Sequence, residues 1–277
     1  MPELPEMQAL SERLHELLAG APLKRVEALG FSALKTFDPR PESLVRSVLQ
    51  GVTRRGKFLV FSFAGPRLLV HLSQGGRVDV EHPPKRTRPK GAVVRLVFEG
   101  RASILVKEHG TQRKASWWVL PPGDDGPLAR LGPEALSEEF ADLIRHSSDR
   151  RRIHTLLRDQ RTVAGIGRGY SDDILHRARV SPYATLDKLD TEGRAELLDS
   201  ILATLGDALA KERQRTGGLP TKLPGRFTVH GNHGRPCPRC AADLRRISYE
   251  GFEITYCPEC QTEGRVLADR RLSRIVR

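Results

Sequence analysis

At 277 residues the chain exceeds one average domain and suits two or three, with 38% hydrophobic residues to fill their cores. Lys and Arg outnumber Asp and Glu by 46 to 34, a net charge of +12 with a pI near 10.0, which suits a polyanionic partner such as nucleic acid, or a merely solubilising surface. No apolar run reaches the roughly 18 residues of a membrane span and no secretory h-region follows the N-terminus, so the expectation is a soluble cytoplasmic protein with no membrane partner.

The chain opens MPELPEMQAL, two Pro-Glu pairs at an end where chains usually fray. Met7, Leu10, Leu14, Leu17 and Leu18 then recur at helical spacing and Gly20 supplies a stop, which predicts an amphipathic N-terminal helix. From about 22 to 120 the pattern changes to short apolar runs, FLVFSF (58–63), RLLVHL (67–72), AVVRLVF (92–98) and ASILVK (102–107), separated by Gly and Pro. These predict strands buried on one or both faces, and so a β-sandwich. The stretch PPKRTRPK (83–90) reads as a basic loop, and the Pro- and Gly-rich residues 121–136 as a linker.

Beyond the linker the strands give way to helices. Ser137 is the predicted N-cap of SEEFADLIRH, with further helical stretches near 150–158, 171–178 and 191–213, the last closed by Gly217-Gly218. VAGIGRGYSDDIL is a glycine-rich turn running into a helix, a natural phosphate site. All four cysteines fall in Cys237-Pro-Arg-Cys240 and Cys257-Pro-Glu-Cys260. Two C-x2-C knuckles with a hairpin-length spacer match a tetrahedral four-cysteine zinc site, one structural Zn2+; two disulfides are the competing reading and suit secretion instead. His230 and His233 lie close by but read as turn residues or phosphate contacts, because four thiolates already close the site. The predicted organisation is an α+β chain: an N-terminal β-sandwich with its helix (1–120), the linker, a helical domain (137–218), a cysteine module (219–262) and a basic tail (263–277).

PELPE at the N-terminus, RRGKFL in the middle, a helical GIG-x-x-Y turn and a C-terminal CxxC…CxxC finger occur in this order. Together they resemble the Fpg/Nei family of DNA glycosylases, the formamidopyrimidine or helix-two-turn-helix group, from residue 2 to about 261. The resemblance implies a DNA repair glycosylase/AP lyase, a monomer working on damaged or abasic DNA, duplex or single-stranded, in the bacterial nucleoid. It implies removal of Met1 and attack by the Pro2 nitrogen on the sugar C1′. The chemistry is sensible, since an α-amine has a reference pKa of about 7.7–8.0 and is partly unprotonated at neutral pH. Glu3 would protonate the ring oxygen and then act as base. Glu6 has two readings, a catalytic one and stabilisation of the helix N-terminus. Lys57 matches the family's lysine near the nucleophile, with a solvated surface lysine as the alternative. His71 matches a backbone-phosphate histidine, or else a satisfied core residue. Gly167, Arg168 and Tyr170 belong to the phosphate-binding turn, and the zinc hairpin, Cys237, Cys240, Cys257 and Cys260, reaches into the DNA.

The sequence departs from that pattern in several places. Gln74 stands where an intercalating methionine is usual, and Arg113-Lys114 where Arg-Phe usually fills the space of the extruded base. GIGRGY puts Arg168 in place of asparagine, and Phe252 falls where the hairpin usually presents an arginine, with Arg245 or Arg246 as substitutes. The segment GGLPTKLPGRFTV is short for a loop that recognises oxidised purines. Three functions therefore remain open: a glycosylase/AP lyase for easily extruded lesions, a non-catalytic DNA-damage-binding paralogue, and an RNA-binding module on the same scaffold.

Overall fold

A computed structural model describes residues 1–110, 112–249 and 252–268; the sequence's basic tail lies outside these residues beyond Ala268. The chain divides into two compact units, one of Met1–Arg130 with Leu209–Leu223, the other of Leu131–Ala208 with the residues from Pro224 onward.

The first unit starts with α1 (Leu4–Leu18), which has Pro5 in its opening turn, Glu3 as N-cap and Glu6 in the capping-box position. Its Leu4, Met7, Leu10, Leu14 and Leu18 are buried, and Gly20 turns the chain out at φ +81°. Eight strands follow: β1 (Leu23–Ala28), β2 (Leu49–Arg55), β3 (Phe58–Phe63), β4 (Arg67–His71), β5 (Gly76–Glu81), β6 (Ala92–Phe98), β7 (Ser103–Glu108) and β8 (Ser116–Leu120). They form two antiparallel sheets, β1-β6-β7-β5 and β2-β3-β4-β8. Phe61, Val70 and Trp117 of one sheet share a core with Val94, Ile104 and Val106 of the other and with Met7, Leu10 and Leu14 of α1. This is the expected β-sandwich, and its apolar runs became strands because both faces are covered. Arg95 of β6 is fully buried, and Glu81 and Glu27 hold its guanidinium at 2.8 Å each.

In the second unit, α2 (Glu138–His146) is capped by Ser137, whose Oγ accepts from Phe140 N–H at 3.3 Å. Then come α3 (Ile153–Arg158), α4 (Arg168–Arg177) and α5 (Thr191–Arg213), whose end from Leu209 onward groups with the first unit. One helix differs from the sequence expectation: that expected at 171–178 begins at Arg168, directly after the turn glycine. α5 keeps the expected bounds, with Gly217 at φ +71° beyond its end. The hairpin β9 (Arg245–Tyr249) and β10 (Phe252–Tyr256) leads into the short α6 (Pro258–Thr262), which starts on Cys257.

Candidate active site

In the first unit, α1 runs along β2. Val52 N–H donates to His15 Nδ1 at 3.3 Å, and Arg54 Nε donates to Gln8 Oε1 at 2.8 Å. Tracing the helix backward thus follows β2 forward, and the first turn of α1 arrives at the β2–β3 turn. Gly56, at φ +55°, makes that turn. Pro2, Glu3, Glu6 and Lys57 are all buried, Lys57 at 4% exposure. Charged groups are seldom kept from water without a partner or a chemical task. Glu3 N–H donates to Glu6 Oε2 at 2.7 Å, so one carboxylate of the cluster caps the helix.

His71 ends β4 opposite Phe58, their rings 4.6 Å apart. Burial, with the Lys57 charge beside it, pushes the imidazole down to about 4. His71 is therefore neutral at pH 7, and Lys57 is electrostatically close to it.

Two loops meet beyond β4. Gln74 is exposed on the β4–β5 turn, next to Ser73 at φ +52°. His109 N–H donates to Gly75 O at 3.0 Å, and a β-carbon on Gly75 would stand 2.3 Å from His109 O. The close approach requires glycine and joins the Gln74 turn to the loop carrying Arg113 and Lys114, both exposed. Glu108 Oε1 fixes the end of that loop by accepting from Lys114 N–H at 2.8 Å and Ala115 N–H at 2.7 Å.

In the second unit, Gln160 shapes the glycine turn: its Nε2 donates to Ile166 O at 2.6 Å and Arg158 O at 3.0 Å, and its Oε1 accepts from Gly165 N–H at 3.1 Å. Gly167 becomes the N-cap of α4 and Arg168 its exposed first residue, while Tyr170 is buried edge-on to Phe227 at 5.1 Å.

The next turn of α4 holds residues that the sequence did not single out. Asp172 bridges His154 Nε2 at 3.0 Å and His230 Nδ1 at 2.6 Å, and accepts from Thr255 N–H at 3.0 Å. Asp173 accepts the backbone N–H groups of Thr228, Val229 and His230 at 2.7, 2.8 and 3.1 Å. Its burial pushes the carboxyl up to about 6 even against those donors. Two adjacent aspartates thus seat the cysteine module on α4, and His230 serves that docking.

The four cysteine sulfurs lie within 4.8 Å of one another. Cys237–Cys260, Cys240–Cys257 and Cys240–Cys260 are separated by 3.9, 3.4 and 3.5 Å. A tetrahedron with zinc–sulfur bonds of about 2.3 Å needs sulfur separations of about 3.8 Å. The donor set fits a metal ion, and His176 Nε2 lies 3.2 Å from Cys237 Sγ, in place to orient that sulfur. Arg245 sits at the base of the hairpin opposite Tyr256, and Arg246 is tied to Glu253 at 3.0 Å. Phe252 is buried beside Ile247, Ile254 and Tyr256.

Residues 1–113 match the model of the formamidopyrimidine-DNA glycosylase N-terminal domain, and residues 131–217 that of the formamidopyrimidine-DNA glycosylase H2TH domain. The formamidopyrimidine-DNA glycosylase of Thermus thermophilus is 34% identical over 95% of this chain and 100% of its own length. The chain belongs to the formamidopyrimidine-DNA glycosylase family. An uncharacterized formamidopyrimidine-DNA glycosylase-like protein of Mycobacterium tuberculosis is 39% identical over 53% of this chain and 94% of its own. Among solved structures, a complex of the Lactococcus lactis Fpg with DNA containing an abasic site superposes with a TM-score of 0.81 at 25% identity, over 94% of this chain and 99% of that one.

A β-carbon on Gly169 would fall 2.1 Å from the Phe227 ring, so the turn carries glycine where Phe227 takes the space.

Proposed function

We propose that the chain is a DNA repair glycosylase with AP lyase activity, using Pro2 as nucleophile once Met1 is removed. The observation that carries this is the buried cluster at the start of α1: Pro2, Glu3 and Glu6 beside the turn that holds Lys57. The secondary amine of Pro2 attacks C1′ of the damaged nucleotide and expels the base, while Glu3 donates a proton to the ring oxygen. The resulting iminium cation withdraws electrons from C2′, a C2′ proton is lost to Glu3, and β-elimination breaks the 3′ phosphate ester. Lys57 and His71 hold backbone phosphate near the reacting sugar. A neutral His71 offers a hydrogen bond there without a second positive charge beside Lys57.

Gly167, Arg168 and Tyr170 form the phosphate-binding turn, where the open amides at the start of α4 and the Arg168 guanidinium favour an anion. The four cysteines hold one structural zinc ion, which the all-thiolate, near-tetrahedral donor set suits. Gln74, Arg113 and Lys114 face the space vacated by the extruded base, and Arg245 adds charge at the hairpin. This polar filler supports extrusion poorly, so the substrates are those already loosely stacked: abasic sites, oxidised pyrimidines, bulky adducts and lesions in single strands. The protein acts as a monomer.

Cleavage of end-labelled oligonucleotides carrying an abasic site or each lesion, in duplex and single strand, tests the reading. A β-elimination product on the abasic strand is expected. Tight, salt-sensitive binding with no strand cleavage would favour the non-catalytic paralogue, to which the polar Lys114 and the buried Phe252 both lean.

A further inference from the structure

On the first unit, outside the α1 cluster, a cleft of about 500 Å³ is bounded by Leu29, Phe31, Arg88, Lys90, Glu108 and Arg113. That volume lies within the roughly 300–1,000 Å³ of sites that hold small organic groups. Phe31 on its rim is fully exposed. An exposed phenyl is commonplace on a floppy loop, but here the backbone that carries it is tied down. Leu29 and Gly30 N–H both donate to Val93 O, at 3.0 and 2.8 Å, Ala33 N–H donates to Gly30 O at 3.1 Å, and Lys35 N–H to Trp117 O at 2.9 Å. These bonds tie down the backbone on both sides of Phe31, so the ring is carried out into solvent from an ordered turn.

The charge around it is one-sided. Arg88, Lys90 and Arg113 are exposed, and none has a carboxylate within salt-bridge distance among the described residues. Arg88 Nη2 donates to Leu29 O at 2.5 Å, which holds the guanidinium beside that turn. Glu108, the acid in the cleft's lining, is buried and already accepts two backbone N–H groups. The floor is close-packed: a β-carbon on Gly91 would stand 2.3 Å from Glu108 O, which brings the start of β6 directly against β7.

An exposed aromatic face beside cations that have no carboxylate partner is a combination that binds unpaired nucleotides: the ring stacks on a base of any sequence and the cations take the phosphates. We infer that this cleft is a single-stranded DNA subsite, in which one unpaired base stacks on Phe31 and its flanking phosphates lie on Arg88 and Lys90. The inference rests on the reading of the chain as a DNA glycosylase and adds a site for the strand beyond the lesion. Arg113 links it to the loop assigned to the vacated base position. A duplex, whose bases are stacked inside, cannot use the ring.

The test is fluorescence anisotropy of the full-length chain with a labelled single-stranded oligothymidylate and, separately, with a duplex carrying an abasic analogue. Phe31→Ala should raise the single-strand Kd about 10-fold, in line with the loss of one base-stacking contact, and Phe31→Trp should retain binding. Arg88→Ala should lower the slope of log K against log salt by about one contact. For both alanine variants the duplex Kd and the melting temperature should stay within about twofold and about 2 °C of the wild type. Phe37, also exposed but outside the cleft, is the control, and Phe37→Ala should change nothing. The subsite is overturned if Phe31→Ala leaves the single-strand Kd unaltered, if it weakens duplex binding equally, or if Phe37→Ala has the same effect. Tighter, Phe31-dependent binding of uridylate RNA would overturn the assignment to DNA. Wild-type chain that binds neither DNA form would instead sink the glycosylase reading itself.

Discussion

The guanidinium carbon of Arg158 stands 3.7 Å from the centroid of the Phe252 ring. His154 stacks on the same ring, with centroids 5.6 Å apart and an interplanar angle of 15°. The hairpin residue that departs from the family pattern is thus an anchor: it buries its ring and receives a cation from α3.

Removing that anchor should loosen the second unit. Phe252→Ala is expected to cost about 3 kcal/mol, the lower end for a buried phenylalanine. In a double-mutant cycle with Arg158→Ala, the coupling should be on the order of 1 kcal/mol by urea unfolding. A coupling of zero would mean that the stacked pair contributes only packing.

The His71–Lys57 pair predicts a pH dependence with a defined sign. The folded imidazole titrates near 4 against 6.5 when free, so between those values the unfolded chain binds the extra proton. Stability from this group is complete above pH 6.5 and is lost as the pH falls toward 4, by at most about 3 kcal/mol. NMR titration should find the His71 ring neutral at pH 6, and Lys57→Met should move its midpoint upward. A midpoint near 6.5 in the wild type would remove the basis for a neutral histidine beside Lys57.

Gln160 makes three hydrogen bonds within the glycine turn. Gln160→Ala should cost about 2 kcal/mol at about 1 kcal/mol per bond, partly recovered by water. Faster hydrogen exchange at Gly165 and weaker DNA binding, with the α1 cluster untouched, is the expected pattern. Unchanged exchange would show that the turn holds its shape by backbone alone.

Wild-type protein should carry one zinc per chain, and Cys240→Ser should release it. Because metal binding and finger folding are coupled, chelation should lower the melting temperature and DNA affinity together. Protein that is fully folded and DNA-competent without metal would contradict the zinc assignment.

Much of this was legible in the sequence because it is local. The runs Phe58–Phe63 and Ala92–Phe98 became β3 and β6 with the expected bounds, and Ser137 caps α2 as its position announced. The cysteine spacing gave the sulfur cluster, since each knuckle needs only its own four residues. What stayed hidden depends on partners far along the chain. Nothing local marks Asp172-Asp173, yet both are buried against groups from Thr228 to Thr255. Likewise nothing in the chain around Gly169 announces Phe227, whose ring takes the space of a β-carbon there. The grouping of Leu209–Leu223 with the first unit has the same origin, Leu219 N–H donating to Val78 O at 2.7 Å across more than half the chain.

The central claim is that Pro2 is the nucleophile, and borohydride trapping tests it most directly. Wild-type protein and Pro2→Gly are incubated with an abasic oligonucleotide, as duplex and as single strand, reduced, and resolved by mass. The account predicts a covalent adduct of wild-type protein lacking Met1, localised to Pro2 by peptide mapping, with Pro2→Gly forming far less despite similar DNA affinity. Binding with no adduct, or an adduct that forms equally well in Pro2→Gly, would contradict it.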